Sequence, residues 1–203
     1  MKPPQILFVT GTDTGVGKTV FAALATLQLR RRGFCVAALK PVASGGRGDA
    51  RILHAAAGKV LSLDEVNPWH FRAPIAPVLA AARERRRVRL REVVTQIRRV
   101  GRAFEVVVVE GAGGLLSPLG VDFDSRDLLL ALAARPVVVC PNKLGAINQV
   151  RLALEALPVR LRPAARVVLV QPPRADTASR TNWELLQNFV RPSQLGLMPW
   201  IRD

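Results

Sequence analysis

Short apolar runs and helical periodicities alternate along the whole chain. Unbroken runs rich in β-branched residues predict strands at 6–10, 35–39, 104–109, 136–140 and 166–170, with a short one at 196–198. Between them, apolar residues recurring at three- and four-residue spacing predict helices over 17–32, 50–57, 77–85, 90–100, 124–134, 146–157 and 181–189. Val106-Val107-Val108-Val109 has no polar alternation, as expected of a strand covered on both faces. Strands alternating with helices build βαβ units. The predicted fold class is therefore α/β, a mostly parallel β-sheet with helices on both faces. No repeat, low-complexity tract or linker breaks the pattern, so residues 1–203 are expected to form a single domain. The most polar stretch, 83–91, reads as an exposed helix junction.

The first strand-to-helix connection carries the most specific chemistry. It reads Gly11-Thr12-Asp13-Thr14-Gly15-Val16-Gly17-Lys18-Thr19. A glycine loop here turns successive backbone N–H groups toward one point, and the following helix aims its positive dipole end at the same place. Both favour phosphate, so the fold is expected to be P-loop NTPase-like. Asp13, Thr14, Gly15, Val16, Gly17, Lys18 and Thr19 are the candidate nucleotide-binding residues. Lys18 would reach the β- and γ-phosphates, and the Thr19 hydroxyl would ligate Mg²⁺. The loop is a lengthened variant. Gly11 precedes Gly17 by one residue more than usual, and Thr12 stands where the first glycine normally falls.

A net charge of +15 raises the question of nucleic acid. The cations are spread over the predicted helices, tyrosine is absent, and aromatics make up 5% of the chain. No stacking platform is visible, so no specific nucleic-acid partner is expected. The arginine bias instead singles out lysine: of 30 basic residues only Lys2, Lys18, Lys40, Lys59 and Lys143 are lysines. Lys18, Lys40 and Lys143 all follow predicted strands, where an α/β protein keeps its chemistry. No run approaches the ~20 apolar residues of a membrane span. The passage from Met1 straight into the first strand predicts no signal peptide. Cys35 and Cys140 both fall in strand-like runs, which predicts buried free thiols and a cytoplasmic location.

Three more post-strand segments hold polar groups. Lys40-Pro41-Val42-Ala43-Ser44-Gly45-Gly46 would bring a second lysine, and the Ser44 hydroxyl, toward the phosphate if its strand lies near the first. Asp49 opens the next helix and fits two roles, helix N-cap or Mg²⁺ ligand. Glu110, directly after the valine run and before Gly111-Ala112-Gly113-Gly114, occupies the Walker-B position with Glu in place of Asp. Asn142-Lys143-Leu144-Gly145-Ala146-Ile147-Asn148-Gln149 starts a helix whose free N–H groups suit an anion such as a carboxylate. His54 and His70 have no ligand partners at metal-binding spacing and read as structural.

Together these segments resemble dethiobiotin synthetase, the ATP-dependent ring-closing enzyme family of biotin synthesis. The resemblance spans nearly the whole chain and rests on six segments in order: the 11–19 loop, Lys40-Pro41-Val42-Ala43-Ser44-Gly45, Asn67-Pro68-Trp69-His70-Phe71, Glu110-Gly111-Ala112-Gly113-Gly114, Lys143-Leu144-Gly145-Ala146-Ile147-Asn148, and Leu197-Met198-Pro199-Trp200. It implies a homodimer that joins CO₂ to 7,8-diaminononanoate at the expense of ATP, with Mg²⁺. It further implies Lys18, Lys40, Ser44 and Thr14 as catalytic residues and Thr19, Asp49 and Glu110 as metal ligands. Glu110, Gln171 and Pro199 join the loop in holding nucleotide. Lys40, Ser44, Gly113, Leu144, Gly145, Ala146, Ile147 and Asn148 hold substrate, with the 144–148 segment receiving the tail carboxylate across the dimer interface.

Three positions depart from the family pattern. Gly15 stands where some members carry Glu, Gln171 where members often have an adenine-reading Asn, and Trp183 near a place where members can have Tyr. The alternative reading is a P-loop switch ATPase of the partitioning class, a partner-binding regulator. Those proteins usually carry an additional Lys early in the loop, where this chain has Asp13 and Thr14.

Overall fold

A computed structural model describes residues 3–201. In chain order the elements are β1 (Gln5–Gly11), α1 (Lys18–Arg31), β2 (Val36–Leu39), β3 (Val42–Ser44), α2 (Gly48–Ala56), α3 (Leu63–Val66), β4 (Trp69–Phe71), α4 (Pro77–Arg83), α5 (Leu90–Gly101), β5 (Val106–Gly114), α6 (Ser125–Ala131), β6 (Arg135–Pro141), α7 (Ala146–Glu155), β7 (Arg166–Val170), α8 (Thr177–Leu186) and β8 (Leu195–Met198). Short 3₁₀ turns at Val159–Ala164 and Pro192–Gln194 precede β7 and β8.

Six strands form one parallel sheet in the order β2-β5-β1-β6-β7-β8. From β1 the chain crosses to the edge strand β2, comes back to lay β5 between the two, and then builds β6, β7 and β8 on the other side. The carboxyl end of β1 therefore lies where the strand order switches, the crevice in which open α/β sheets place ligands. The valine run explains the two covered faces. Val107 and Val109 pack into the core with Phe8, Val93, Ile97 and Leu128, while Val106 and Val108 pack into the opposite core with Val9, Ala22 and Leu53. Val107, Val108 and Val109 are fully buried, each contributing about 1.5–3 kcal/mol over an exposed position. A third core joins β6 and β7 to α7 and α8 through Cys140, Val150, Leu169 and Leu186.

Several expectations are revised. β5 does not stop before Glu110 but continues to Gly114, because its pairing with β1 runs on from Val9↔Glu110 to Gly11↔Gly114. Cys35 is exposed, one residue ahead of β2, with its N–H bonded to Glu105; only Cys140 is buried, and both thiols are free. Helix α8 starts four residues earlier than predicted, because Asp176 and Ser179 form a reciprocal cap. Helix α6 ends early, where Ala133 takes a left-handed φ of 50°. The small parallel pair β3–β4 gives no alternation signal, since each strand has three residues.

Candidate active site

The loop between β1 and α1 is shaped by what its glycines exclude. A Cβ on Gly11 would lie 2.6 Å from Val16 Cγ2 and 2.9 Å from the Asp13 carbonyl, so only glycine lets the loop fold back over the strand end. Gly17 serves as the N-cap of α1 at φ 93°, and no side chain caps the helix. The first N–H groups of a 14-residue helix are thus left to an external acceptor. Lys18 is buried and donates from Nζ to the Asp13 carbonyl at 2.7 Å, spanning the loop. Asp13 Oδ1 accepts from the Thr14 N–H at 2.7 Å. Thr14 Oγ1 stands 3.8 Å from where a Cβ on Gly113 would be, so the end of β5 abuts the loop. A Cβ on Gly113 would also overlap the Ser117 hydroxyl, which accepts from the Gly114 N–H at 2.8 Å.

Lys40, Asp49, Glu110 and Thr19 come together from four segments. Lys40 Nζ lies 2.6 Å from Glu110 Oε1, 2.9 Å from the Gly111 carbonyl and 3.1 Å from Asp49 Oδ2. Thr19 Oγ1 donates to the same Glu110 oxygen at 2.9 Å. Lys40 is 3% exposed and Glu110 1%, so the pair is desolvated. Burial opposes the Lys40 charge, but Glu110 and Asp49 outweigh it and hold the ammonium above its ordinary range. Burial lifts the Glu110 carboxyl above its ordinary range, with Lys40 pulling against it. Desolvation and the neighbouring Lys40 charge lower Lys18 to about 8.

Asp49 is not a cap. It lies inside the first turn of α2, whose N-cap is Arg47, and its carboxylate turns to Lys40. Lys40 reaches the site although β2 and β1 are not neighbours, because β5 between them carries Glu110. Ser44 ends β3, half-buried, and makes no hydrogen bond to this cluster among the described residues.

The donor set suits a small hard cation. Among the described residues Glu110 Oε2 is buried with no partner, and Thr19 Oγ1 keeps its lone pairs beside Oε1. No group of three or more acidic, His or Cys side chains gathers as an all-protein cage among the described residues. Mg²⁺ is the ion that takes one or two carboxylates and completes its shell with phosphate oxygens and water.

Beyond the loop, a cavity of about 410 Å³ opens between Gly15–Gly17, the 170–173 segment and the 198–201 segment, with Pro141 and Asn142 at its side. Gln171 and Pro199 both line it, as do Val170, Met198 and Trp200. Its apolar faces and its position at a phosphate loop suit a nucleotide base. Asn142, which in the sequence only opens the anion-site segment, and Asn182, which carries no motif, are buried polar residues bonded in series to Gln171. A buried amide after a strand end was the available signal.

At the start of α7, Gly145 is the N-cap at φ 89° with no side-chain cap. Ala146 is buried and Ile147 half-buried, while Asn148 is exposed and Leu144 is 86% exposed. Gln149, which closes the same segment, accepts from Thr12 Oγ1 at 3.5 Å and so ties this helix to the phosphate loop. Trp183 and Ile147 both pack, half-buried, against the third core. His54 and His70 each bond a backbone carbonyl, of Leu61 and Asn67.

Comparison with known proteins agrees with this geometry. A family profile described as an AAA domain matches residues 5–203. The chain is 40% identical over 202 residues to the ATP-dependent dethiobiotin synthetase BioD of Anaeromyxobacter dehalogenans (strain 2CP-C), covering 97% of this chain and 91% of that protein. It is 34% identical over 202 residues to the protein of the same name from Bacillus licheniformis, covering 97% and 86%. Among solved structures, a ParA family ATPase from Chlorobium tepidum superimposes with a TM-score of 0.58 at 14% identity, over 98% of this chain and 86% of that one. That likeness is one of fold alone. The partitioning alternative thus shares the architecture, whereas the sequence and the loop chemistry align with the synthetases: the chain belongs to the ATP-dependent dethiobiotin synthetase family.

Proposed function

We propose that this protein closes the ureido ring of dethiobiotin from 7,8-diaminononanoate, CO₂ and ATP. The observation that carries the reading is the meeting of Lys18, Lys40 and Glu110 in the carboxyl half of the sheet beside the 11–19 loop, with Lys40 Nζ 2.6 Å from Glu110. Two ammonium groups suit a reaction that gathers anionic oxygens from a triphosphate and a carbamate. One amine of the substrate adds to CO₂ and loses a proton to give the carbamate. A carbamate oxygen attacks the γ-phosphorus, the bond to ADP breaks, and a carbamic–phosphoric anhydride results. The second amine then attacks the carbonyl carbon, loses a proton and expels phosphate.

Lys18 and Lys40 hold the charge on the transferring phosphoryl group and the carbamate. Thr14 and Ser44 supply hydroxyl donors near it, and the N–H groups at 144–148 receive the tail carboxylate. Thr19 and Glu110, with Asp49, would hold Mg²⁺, which when bound neutralises charge on the β- and γ-phosphate oxygens. The base occupies the cavity by Gln171 and Pro199. We also propose a homodimer, in which a second copy covers Leu144, 86% exposed, and Leu152, 62% exposed. Free thiols and a biosynthetic role fit the cytoplasm.

The test is product mass after mixing protein, ATP, Mg²⁺, bicarbonate and the diamine, with sedimentation at the assay concentration to read the dimer. Phosphate release that ignores the diamine would defeat the reading. Glu110→Gln keeps the side-chain shape but removes the charge. It is expected to raise the half-saturating Mg²⁺ concentration about ten- to 100-fold; an unchanged Mg²⁺ titration removes Glu110 from the metal site.

A further inference from the structure

Lys40 sits beyond the end of its strand. β2 pairs with β5 over Val36–Leu39 and stops there, so no ladder bond fixes the next residue. Both backbone groups of Lys40 are held instead by the carboxyl end of α3. The Lys40 N–H donates to the Val66 carbonyl at 2.9 Å, and the Lys40 carbonyl accepts from Asn67 Nδ2 at 2.6 Å. A carbonyl only accepts, so the Asn67 nitrogen, not its oxygen, must face Lys40. Pro41 is held in turn, its carbonyl accepting from the Trp69 N–H at 3.1 Å.

The same helix end holds the carboxylate that faces Lys40. Of residues 45–48 three are glycine, with Gly45 and Gly46 at φ 79° and 118°, and Arg47 supplies the one side chain. That side chain reaches α3. It donates from Nη1 to Asp64 Oδ1 at 2.8 Å, and from Nη2 to the Leu63 carbonyl at 2.5 Å and the Asn67 carbonyl at 3.2 Å. The last carbonyls of a helix have no helical partner and suit an Arg fork. Arg47 is the N-cap of α2, and Asp49 follows in the first turn with Oδ2 3.1 Å from Lys40 Nζ. α3 is itself pinned: Ser62 and Glu65 form a reciprocal cap, and Gln96 of α5 donates to the Glu65 carbonyl at 2.8 Å. One short element thus fixes the Lys40 backbone and the start of the helix that carries Asp49.

Packing alone does not call for these polar groups. Asn67 is 0% exposed, and among the described residues its Oδ1 has no partner, nor has the buried Nε of Arg47. Each such atom costs stability. An apolar side chain would fill the Asn67 position without that cost but would leave the Lys40 carbonyl unheld. We propose that Asn67 and Arg47 are positioning residues for the reaction: Asn67 aims the Lys40 ammonium at the transferring phosphoryl group, and Arg47 holds Asp49 in place for Mg²⁺. This rests on the phosphate and metal site assigned above.

Double-mutant cycles on the whole protein, under conditions where circular dichroism shows every variant folded, separate positioning from a loss of stability. Asn67→Ala should lower ring-closure kcat about ten- to 100-fold, the scale of displacing a reacting group by about 1 Å, with KM for ATP within about threefold. In a Lys40→Met background the same substitution should change kcat less than about threefold, because the group it aims is gone. Arg47→Met keeps the stem and removes the fork. It should raise the Mg²⁺ concentration that half-saturates calorimetric binding of a non-hydrolysable ATP analogue about tenfold, the scale of losing an outer-shell partner of a metal ligand, and should not raise it further in Asp49→Asn. If Asn67→Ala does not fold, Asn67→Ser enters the same cycle and must show the same dependence on Lys40. Equal factors in wild-type and Lys40→Met backgrounds would overturn the role of Asn67. A Mg²⁺ titration that Arg47→Met leaves unmoved, or shifts equally with and without Asp49, would overturn that of Arg47. The calorimetric cycle requires no turnover, so failure of ring closure in the wild-type protein would defeat the proposed reaction and leave the Mg²⁺ comparison standing.

Discussion

Lys40→Ala is expected to lower ring-closure kcat about 10³-fold, the scale of losing one preorganised charge at a phosphoryl-transfer centre, and to destabilise the fold by about 3–5 kcal/mol. The second effect comes from what the lysine leaves behind. Glu110 is 1% exposed and its Oε2 has no partner, so its charge is balanced chiefly by the Lys40 ammonium at 2.6 Å. Thr19 contributes one neutral hydroxyl and cannot replace it. Without Lys40 the carboxylate must take up a proton or sit uncompensated in a desolvated site. Urea denaturation and the product assay separate the two effects. The double variant Lys40→Ala/Glu110→Gln removes the orphaned charge and should recover most of the lost stability but none of the turnover. Near-normal activity of the single variant would refute the catalytic role, and unchanged stability would refute the pairing.

The same cluster shows which parts of the molecule a sequence can reveal. The strands were legible because burial on both faces writes itself as uninterrupted valine, as at Val106–Val109, and the phosphate loop because its glycines and Lys18 are contiguous. Lys40 is legible as an ammonium after a strand and Glu110 as a carboxylate closing the valine run, although β5 continues past it to Gly114. Their contact is not, because it depends on β5 lying between β1 and β2, a matter of strand order that no local pattern encodes. Asp49 stood equally as cap or ligand in the sequence. Only the helix start at Gly48, with Arg47 as N-cap, turns its carboxylate toward Lys40. Cys35 was misplaced because an apolar neighbour run does not say where hydrogen-bonded pairing begins. The pairing of the amides next to Gln171 is not legible for a different reason. Asn142 and Asn182 are 40 residues apart, and buried amides resemble surface ones until their partners are known.

Lys18 is expected to behave oppositely to Lys40 in stability and alike in catalysis. Lys18→Met keeps the stem that packs in the loop but removes the ammonium. It should cut kcat/KM about 10³-fold or more, because both binding and transfer use that charge. Stability at pH 7 should not fall. Among the described residues Lys18 pairs with no carboxylate; it spans to the Asp13 carbonyl, and desolvation and Lys40 bring it from 10.5 down to about 8. The sign follows from proton counting. Between about pH 8 and 10.5 the unfolded chain holds the Lys18 proton and the folded one does not, so wild-type stability gains from this group as pH rises through that window. The variant should lose that gain and give a flatter profile. Ligand binding runs the other way, since a triphosphate needs the charged form. Affinity of the free protein for Mg·ATP should fall as pH rises through about 8, with proton uptake on binding visible as a dependence of the calorimetric heat on buffer ionisation. A wild-type affinity that is flat from pH 7 to above 9, or a variant that retains the same slope, would show that another group controls the phosphate site.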